Sequence, residues 1–366
     1  MTAAAFITGI GGQDGTYLAE RLVAEGLEVH ALVLETDGHP EHCPAEVVLH
    51  SGDLADVEAT RRLVAEIAPQ EVYNLAAISS VAQSWDEPDR TSLVNGHAAV
   101  ALMESVRRLG GVRLVQASSA EVFGEAQEAP QDEVTPIAPV NPYGAAKAFA
   151  HLSARVFRHR DQHVSSVILY NHESPRRHPR FVTRKITSTV AAIARGDADE
   201  LVLGNLDARR DWGWAPDYVD AMVRAVRADQ PADYVVATGT AHSVRDFVAA
   251  AFAAAGITDW ERLVRQDAAF FRPADPTELV GDVGHAGEEG RGELRRVGRS
   301  LGPVGDVLAR HDEDVGRRLR LDVLEGHHVV VLVDPTGIDL ASHDPAEQAV
   351  VVGHAHGLLA STTRGA

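Results

Sequence analysis

The chain has 366 residues, enough for one large or two modest domains, and 45% of them are hydrophobic, an ordinary share for a protein with a full core. Its formal net charge of −19 argues against nucleic acid or an anionic membrane as partner, and no apolar run reaches the ~18 residues that a membrane span needs. The one cysteine, Cys43, precludes an intrachain disulfide and fits a reducing cytoplasm; nothing around it in the sequence reads as catalytic.

Residues 3–8, Ala-Ala-Ala-Phe-Ile-Thr, form a short apolar run suited to a buried parallel strand, and this immediate entry into a strand leaves no room for a signal peptide. Gly9, Ile10, Gly11, Gly12, Gln13, Asp14 and Gly15 follow, then an amphipathic helix from about Thr16 to Glu25. Alone, such a loop is a flexible turn. Between a strand and a helix it reads as a cradle for a pyrophosphate, with the helix N-terminus supplying amide donors. Further strands are expected at 28–34, 47–50, 71–75 and 112–116, and helices at 56–67 and 91–109. Asp53, just after the third strand, is placed to accept from an adenine amino group. The alternation implies a doubly wound parallel α/β sheet, whose ligands bind at the carboxyl ends of the strands. The glycine loop, residues 76–80 and residues 118–121 all fall at such ends.

Ser118-Ser119-Ala120-Glu121-Val122-Phe123 and Tyr143-Gly-Ala-Ala-Lys147 carry the chemistry. A Tyr and a Lys four residues apart share a helix face, and a nearby ammonium favours a phenolate that can act as base. Glu121 adds a second acid/base, able to remove a carbon-bound proton and to protonate a leaving hydroxide. Together they imply oxidation followed by loss of water. The plainer alternative for Glu121 is a capping or surface carboxylate. Arg176, Arg177, Arg180, Arg184 and Lys185, with Arg209 and Arg210, form basic runs in an acidic chain; they read either as a solvated face or as an anion site.

These motifs resemble the extended short-chain dehydrogenase/reductase superfamily, and within it the GDP-mannose 4,6-dehydratase family. The narrower likeness rests on Asn171-His-Glu-Ser-Pro-Arg-Arg177, Phe181-Val-Thr-Arg-Lys-Ile186, Leu203 to Gly213 and Ala237 to Arg245, and it runs from Ala3 to Asp282. The resemblance implies a Rossmann-type sheet with a smaller substrate-binding lobe, and a hydro-lyase that converts GDP-mannose to its 4-dehydro-6-deoxy product, a precursor of deoxyhexoses. It implies catalysis by Ser119, Glu121, Tyr143 and Lys147. Cofactor contacts carry over to Gly9 through Gly15, Asp53, Leu54, Leu75, Ala76, Ala77, Ile78, Ser79, Lys147, His172 and Arg177. Substrate contacts carry over to Asn171, Lys185, Asn205, Arg210 and Arg272. The resemblance also implies NADP as cofactor and a homodimer or homotetramer. A separate carboxylic acid found in related dehydratases is Ala120 here, so Glu121 would serve as both base and acid.

The chain departs from the family's pattern at several points. Leu34 and Glu35 stand where an arginine pair grips the 2′-phosphate of NADP, and a carboxylate there suits NAD instead. Arg90 replaces a Tyr, His178 a Gly, Asp275 a Glu and Thr277 an Asp. Residues 1–170 are expected to form the dinucleotide-binding domain, with later segments returning to it, and 171–290 mostly the substrate lobe. After about Glu289 the likeness stops, and 290–366 form an atypical tail of the sort that a shifted reading frame leaves; a strand at 328–333 is expected there. His327, His328, His343, His354 and His356 lack the spacing of a metal site, and no metal is expected. Two other readings stand beside the dehydratase: a GDP-sugar reductase or epimerase, which needs no Glu121, and a catalytically decayed homologue that binds nucleotide.

Overall fold

The computed structural model describes residues 3–35, 38–271, 274 and 276–283, and the backbone of 322–323 and 327–328. The described residues fall into two compact units. One holds those of 1–178, 207–244 and 271–303; the other holds those of 179–206, 245–270 and 304–366.

The first unit begins with β1 (Ala4–Thr8), α1 (Gln13–Ala24), β2 (Glu28–Val33), β3 (Val48–Ser51), α2 (Val57–Ile67) and β4 (Glu71–Asn74). It continues through α3 (Val81–Asp86), α4 (Pro88–Thr91), a π-helical turn (Ser92–Ala98), α5 (Ala99–Leu109), β5 (Arg113–Ala117), α6 (Pro142–Arg158), β6 (Val164–Leu169) and β7 (Asn171–Glu173). The second unit contains α7 (Val182–Arg195) and β8 (Leu201–Leu203). The chain returns to the first for β9 (Arg209–Trp214), α8 (Ala215–Arg227), β10 (Asp233–Val236) and β11 (Ala241–Ser243). Nearly all of α9 (Val244–Ala254), and β12 (Val264–Gln266), belong to the second unit, and β13 (Glu278–Leu279) to the first.

Seven strands form one sheet in the order β10-β6-β5-β4-β1-β2-β3, with every neighbouring pair parallel. This is the doubly wound sheet the alternating pattern predicts. Both faces are covered. Leu18 and Leu22 of α1 pack with Val219, Met222 and Val226 of α8 on one side. Val64 of α2 packs with Leu102, Met103 and Val106 of α5 on the other. Each such fully buried aliphatic side chain contributes about 1.5–3 kcal/mol of transfer free energy. That two-sided cover is why the strands read as apolar runs rather than alternating ones. Around β9 a smaller sheet gathers: β11 antiparallel, and β13 and β7 parallel to it.

Two elements differ from the sequence reading by more than a one-residue shift. α1 starts at Gln13, not Thr16, with Gly12 extended just before it, so the glycine loop is itself the helix entry. The helix expected over 91–109 passes through a π-helical turn over Ser92–Ala98. There Gly96 lies close to α6: a Cβ on it would stand 3.1 Å from Phe149 Cδ1. In the second unit β8 pairs in parallel with β12, and Phe252 stacks on Trp260 with ring centroids 6.2 Å apart. The C-terminal tail lies outside the described residues apart from the strand pair Asp322–Val323 and His327–His328, so the strand expected over 328–333 is described only at its first residue.

Candidate active site

The loop from β1 to α1 closes directly onto the end of β4. Gly9 has φ +80°, and a Cβ on it would fall 2.7 Å from the Ala76 amide nitrogen; a Cβ on Gly15 would fall 2.4 Å from Gly9 O. Side chains are therefore excluded at both positions. A Cβ on Gly11, in contrast, would meet nothing nearer than Pro40 at 4.0 Å, so the outer face of the loop is open. No side chain caps the N-terminus of α1. A helix start with no side-chain cap between β1 and β4, where the strand order reverses, leaves amide donors open to an anion.

Gln13 and Asp14 point back into the protein. Gln13 Nε2 donates to His172 O at 2.8 Å, and Ser174 Oγ donates to Gln13 Oε1 at 2.8 Å. His172 Nε2 lies 2.8 Å from Asp14 Oδ2, and its Nδ1 lies 2.7 Å from Tyr170 O. Both ring nitrogens thus face acceptors, which only the doubly protonated imidazolium satisfies. Burial opposes that charge, but the Asp14 carboxylate overrides it and raises the His172 pKa; Asp14 is held below its ordinary range against its own burial. The imidazole also stacks on Tyr218, with ring centroids 4.4 Å apart. Gln13, Asp14, His172 and Ser174 thus lock the first turn of α1 to the segment after β6.

Leu75, Ala76, Ala77, Ile78 and Ser79 line the end of β4. The Ala76 amide donates to Thr8 Oγ1 at 3.2 Å, and Asn95, from the π-helical turn, holds Ile78 through both its N–H (2.8 Å) and its C=O (3.0 Å). At the end of β3 the Asp53 carboxylate accepts from the Ala55 amide and is ion-paired with Arg90, while Leu54 is buried. Leu34 and Glu35 are exposed at the end of β2.

The residues with acid–base character meet where β5 ends and α6 begins. Ser119 Oγ accepts from the Glu121 amide at 3.3 Å and hydrogen-bonds the Tyr143 phenol. The Asn141 side chain caps α6, accepting from the Gly144 amide at 2.7 Å, and donates through Nδ2 to Glu121 Oε2 at 2.8 Å. A Cβ on Gly144 would fall 2.5 Å from Glu121 O, so the helix start presses against the Glu121 backbone. Lys147 Nζ donates to Ala117 O at 2.9 Å and sits 5.9 Å from the Tyr143 ring centroid. Burial pushes the Tyr143 phenol up to about 12, eased by its bond to Ser119, raised further by the Glu121 charge and eased again by Arg177. Burial lowers Lys147 to about 8. The depressed phenol expected from the four-residue spacing is thus outweighed here by burial. Ser118 Oγ is buried with no partner. Arg177 acts electrostatically on both Asp14 and Tyr143.

The residues matched to substrate contacts are divided between the two units. Asn171 opens β7, and Arg210 is buried, donating to Arg209 O and Pro276 O at 2.8 and 2.9 Å. Of the basic run, Arg176 lies over the Tyr17 ring at 3.9 Å and pairs with Glu20 at 2.7 Å. In the second unit Lys185 Nζ lies 4.0 Å from the Phe270 ring centroid, with its pKa lowered by burial, and Asn205 is exposed. Arg272 and Asp275 lie outside the described residues, as do the side chains of His327, His328, His343, His354 and His356. Among the described residues no cluster of His, Cys, Asp and Glu could hold a metal, and no helix is long and apolar enough to cross a membrane. Asn95 and Asn141 were missed by the sequence reading. The signal for Asn141 was present: an Asn before a Pro at a helix start is a cap.

A family model described as GDP-mannose 4,6 dehydratase matches residues 6–289. A human GDP-mannose 4,6 dehydratase is 41% identical over 310 residues, covering 76% of this chain and 83% of that protein. A Vibrio cholerae GDP-mannose 4,6-dehydratase is 36% identical over 377 residues, covering 91% of this chain and all of that protein. Among solved structures, the Thermus thermophilus UDP-glucose 4-epimerase in complex with NAD has a TM-score of 0.68 and 27% identity, covering 81% of this chain and 98% of that one.

Proposed function

The chain belongs to the GDP-mannose 4,6-dehydratase family, hydro-lyases of nucleotide-sugar metabolism, and from that premise we propose how its residues remove water from GDP-mannose. The observation that carries the reading is one wall bearing a carboxylate, Glu121, beside the linked hydroxyls of Ser119 and Tyr143. An epimerase or reductase has no use for that carboxylate.

The glycine loop would hold the pyrophosphate of a nicotinamide dinucleotide; its open outer face and the uncapped α1 fit the group. When bound, the oxidised dinucleotide supplies an acceptor for the C4 hydrogen with its electron pair, returns both to C6, and brings a positive charge that favours the Tyr143 phenolate. Tyr143 takes the proton of the sugar 4-hydroxyl, and Ser119 donates to the oxygen that becomes the ketone. The C5 proton is then acidic, being next to a carbonyl. Glu121 removes it; the C5–H pair forms the C5–C6 double bond, the C6–O bond breaks, and Glu121 protonates the departing oxygen as water. C5 finally takes one proton, matching the one Tyr143 removed, so the residues end as they began. Lys147 and Arg177 are read as cofactor contacts, and Asn171, Lys185, Asn205 and Arg210 as substrate contacts.

Against the family's NADP, Glu35 supports NAD. A carboxylate at the end of β2 accepts from a ribose 2′-hydroxyl and repels a 2′-phosphate. Phe149, Leu152 and Val156 form an exposed apolar stripe along α6, 53%, 44% and 63% accessible, which supports a homo-oligomer. The lone Cys43 fits a reducing cytoplasm as the place of action.

The test is incubation with GDP-mannose and NAD or NADP separately, followed by mass spectrometry. A product lighter by one water, absent with Glu121→Gln and Tyr143→Phe, is the expected result. No conversion by a folded, nucleotide-binding protein would replace this reading with a decayed homologue.

A further inference from the structure

We propose that Asn141 is the positioning residue that assigns the two oxygens of Glu121 their roles, a reading that rests on Glu121 acting as the acid/base of the elimination. The amide of Asn141 cannot flip at no cost. Its Oδ1 must accept from the Gly144 amide to cap α6 at 2.7 Å, so its Nδ2 is turned toward Glu121 Oε2 at 2.8 Å. Reversal would set two donors against each other at Gly144 and two acceptors against each other at Glu121. Oε2 is therefore engaged by a fixed N–H, and Oε1 is the oxygen that takes the C5 proton and delivers it to the 6-hydroxyl.

The same residue fixes the distance between the two acid–base groups. Asn141 lies two residues before Tyr143, and Gly144 packs on the Glu121 backbone so closely that a Cβ would fall 2.5 Å from its carbonyl oxygen. The 3₁₀ turn carrying Glu121 (Ala120–Val122) and the start of α6 are thereby one rigid piece, closed by a backbone contact on one side and the Asn141 side chain on the other. Asn is the residue this needs. Asp would cap the helix but set a carboxylate against a carboxylate; Ser would cap but is too short to reach Glu121.

The decisive variants are Asn141→Ser and Asn141→Asp, both of which keep a helix cap and so keep the fold. Each is expected to lower kcat by on the order of 10- to 100-fold with little change in KM, as misplacement of a catalytic group does. Because C4 oxidation uses Tyr143 and not Glu121, the slow step becomes elimination. Reduced nicotinamide then accumulates during turnover, visible by its absorbance, and incorporation of deuterium from heavy water at C5 slows in parallel. A residue of merely structural importance would lower all steps and the melting temperature together. Glu121→Gln is run alongside. If it blocks elimination while Asn141→Ser turns over like the parent, the assignment of Asn141 is overturned. If Glu121→Gln itself turns over normally, the underlying reading of Glu121 fails instead.

Discussion

Replacing His172 with Ala tests the lock beneath the glycine loop. The substitution removes the partner of Asp14 at 2.8 Å, the donor to Tyr170 O at 2.7 Å and the ring stacked on Tyr218. The Asp14 side chain is largely buried and its other oxygen accepts no hydrogen bond, so the carboxylate loses its main partner and keeps only the lesser help of Arg177 and Gln13. Breaking a buried pair in this way costs about 3–5 kcal/mol. At about 2 °C per kcal/mol for a protein of this size, the melting temperature should fall by about 6–10 °C. The sign of the pH dependence follows from the two shifts. His172 is raised above its ordinary 6.5, so its contribution is complete below that pH and is lost as pH rises through the folded-state value. Asp14 is lowered from 3.8, so its contribution is present above that pH and is lost as pH falls through its folded-state value. The stability gap between parent and variant should therefore be widest at roughly pH 4–6.5 and should close on the alkaline side. Thermal unfolding across this range, with calorimetric titration of NAD, measures both effects. Asp14→Ala/His172→Ala should lose less than the sum of the singles, since no orphan charge remains. A gap below about 1 kcal/mol, or one that does not vary with pH, would refute the assignment of His172 as an imidazolium.

Two further outcomes are expected. Gly15→Ala puts a Cβ 2.4 Å from Gly9 O, a backbone atom that cannot yield, so nucleotide binding by titration calorimetry should be lost and the melting temperature should drop; tight binding in that variant would show the loop to be far more pliant than its packing implies. Phe149→Glu with Val156→Glu puts charge on the apolar stripe of α6, and light scattering should then report a smaller species that still binds nucleotide; an unchanged mass would place any self-association elsewhere.

The fold was legible in the sequence because its signals are local. Buried parallel strands are short apolar runs, helices of the doubly wound sheet are amphipathic, and Gly9 to Gly15 sit where a strand passes into a helix. The four-residue spacing of Tyr143 and Lys147 likewise needs only helical geometry. What was not legible depends on segments far apart in the chain. That Gln13 and Asp14 are spent on Ser174 and His172 follows from bonds spanning about 160 residues. That the Tyr143 phenol is raised rather than depressed follows from its burial, which the four-residue spacing does not report. The link from Asn141 to Glu121 crosses only 20 residues, but it requires knowing that the turn after β5 meets the cap of α6. Arg176, in a basic run that read either as a solvated face or as an anion site, lies on Tyr17 beside Glu20, because a basic run on a loop takes the partners that the fold brings to it.

The departures from the family's pattern also have a physical order. Within the described residues they include Leu34, Glu35 and Arg90, where β2 and β3 end, and Arg90 is paired with Asp53. In the proposed mechanism a group there touches no bond that is made or broken. Whatever it contributes is the same for ground state and transition state, and changes affinity rather than the rate of the bound complex. In the proposed mechanism Ser119, Glu121 and Tyr143 act on developing charge, where a small displacement is magnified in rate. A change of dinucleotide can therefore be accommodated by side chains at the strand ends without disturbing the constellation that eliminates water. On that reading, the rigid join of the Glu121 turn to α6 would confine the chemistry to a part of the site that such an exchange would not reach.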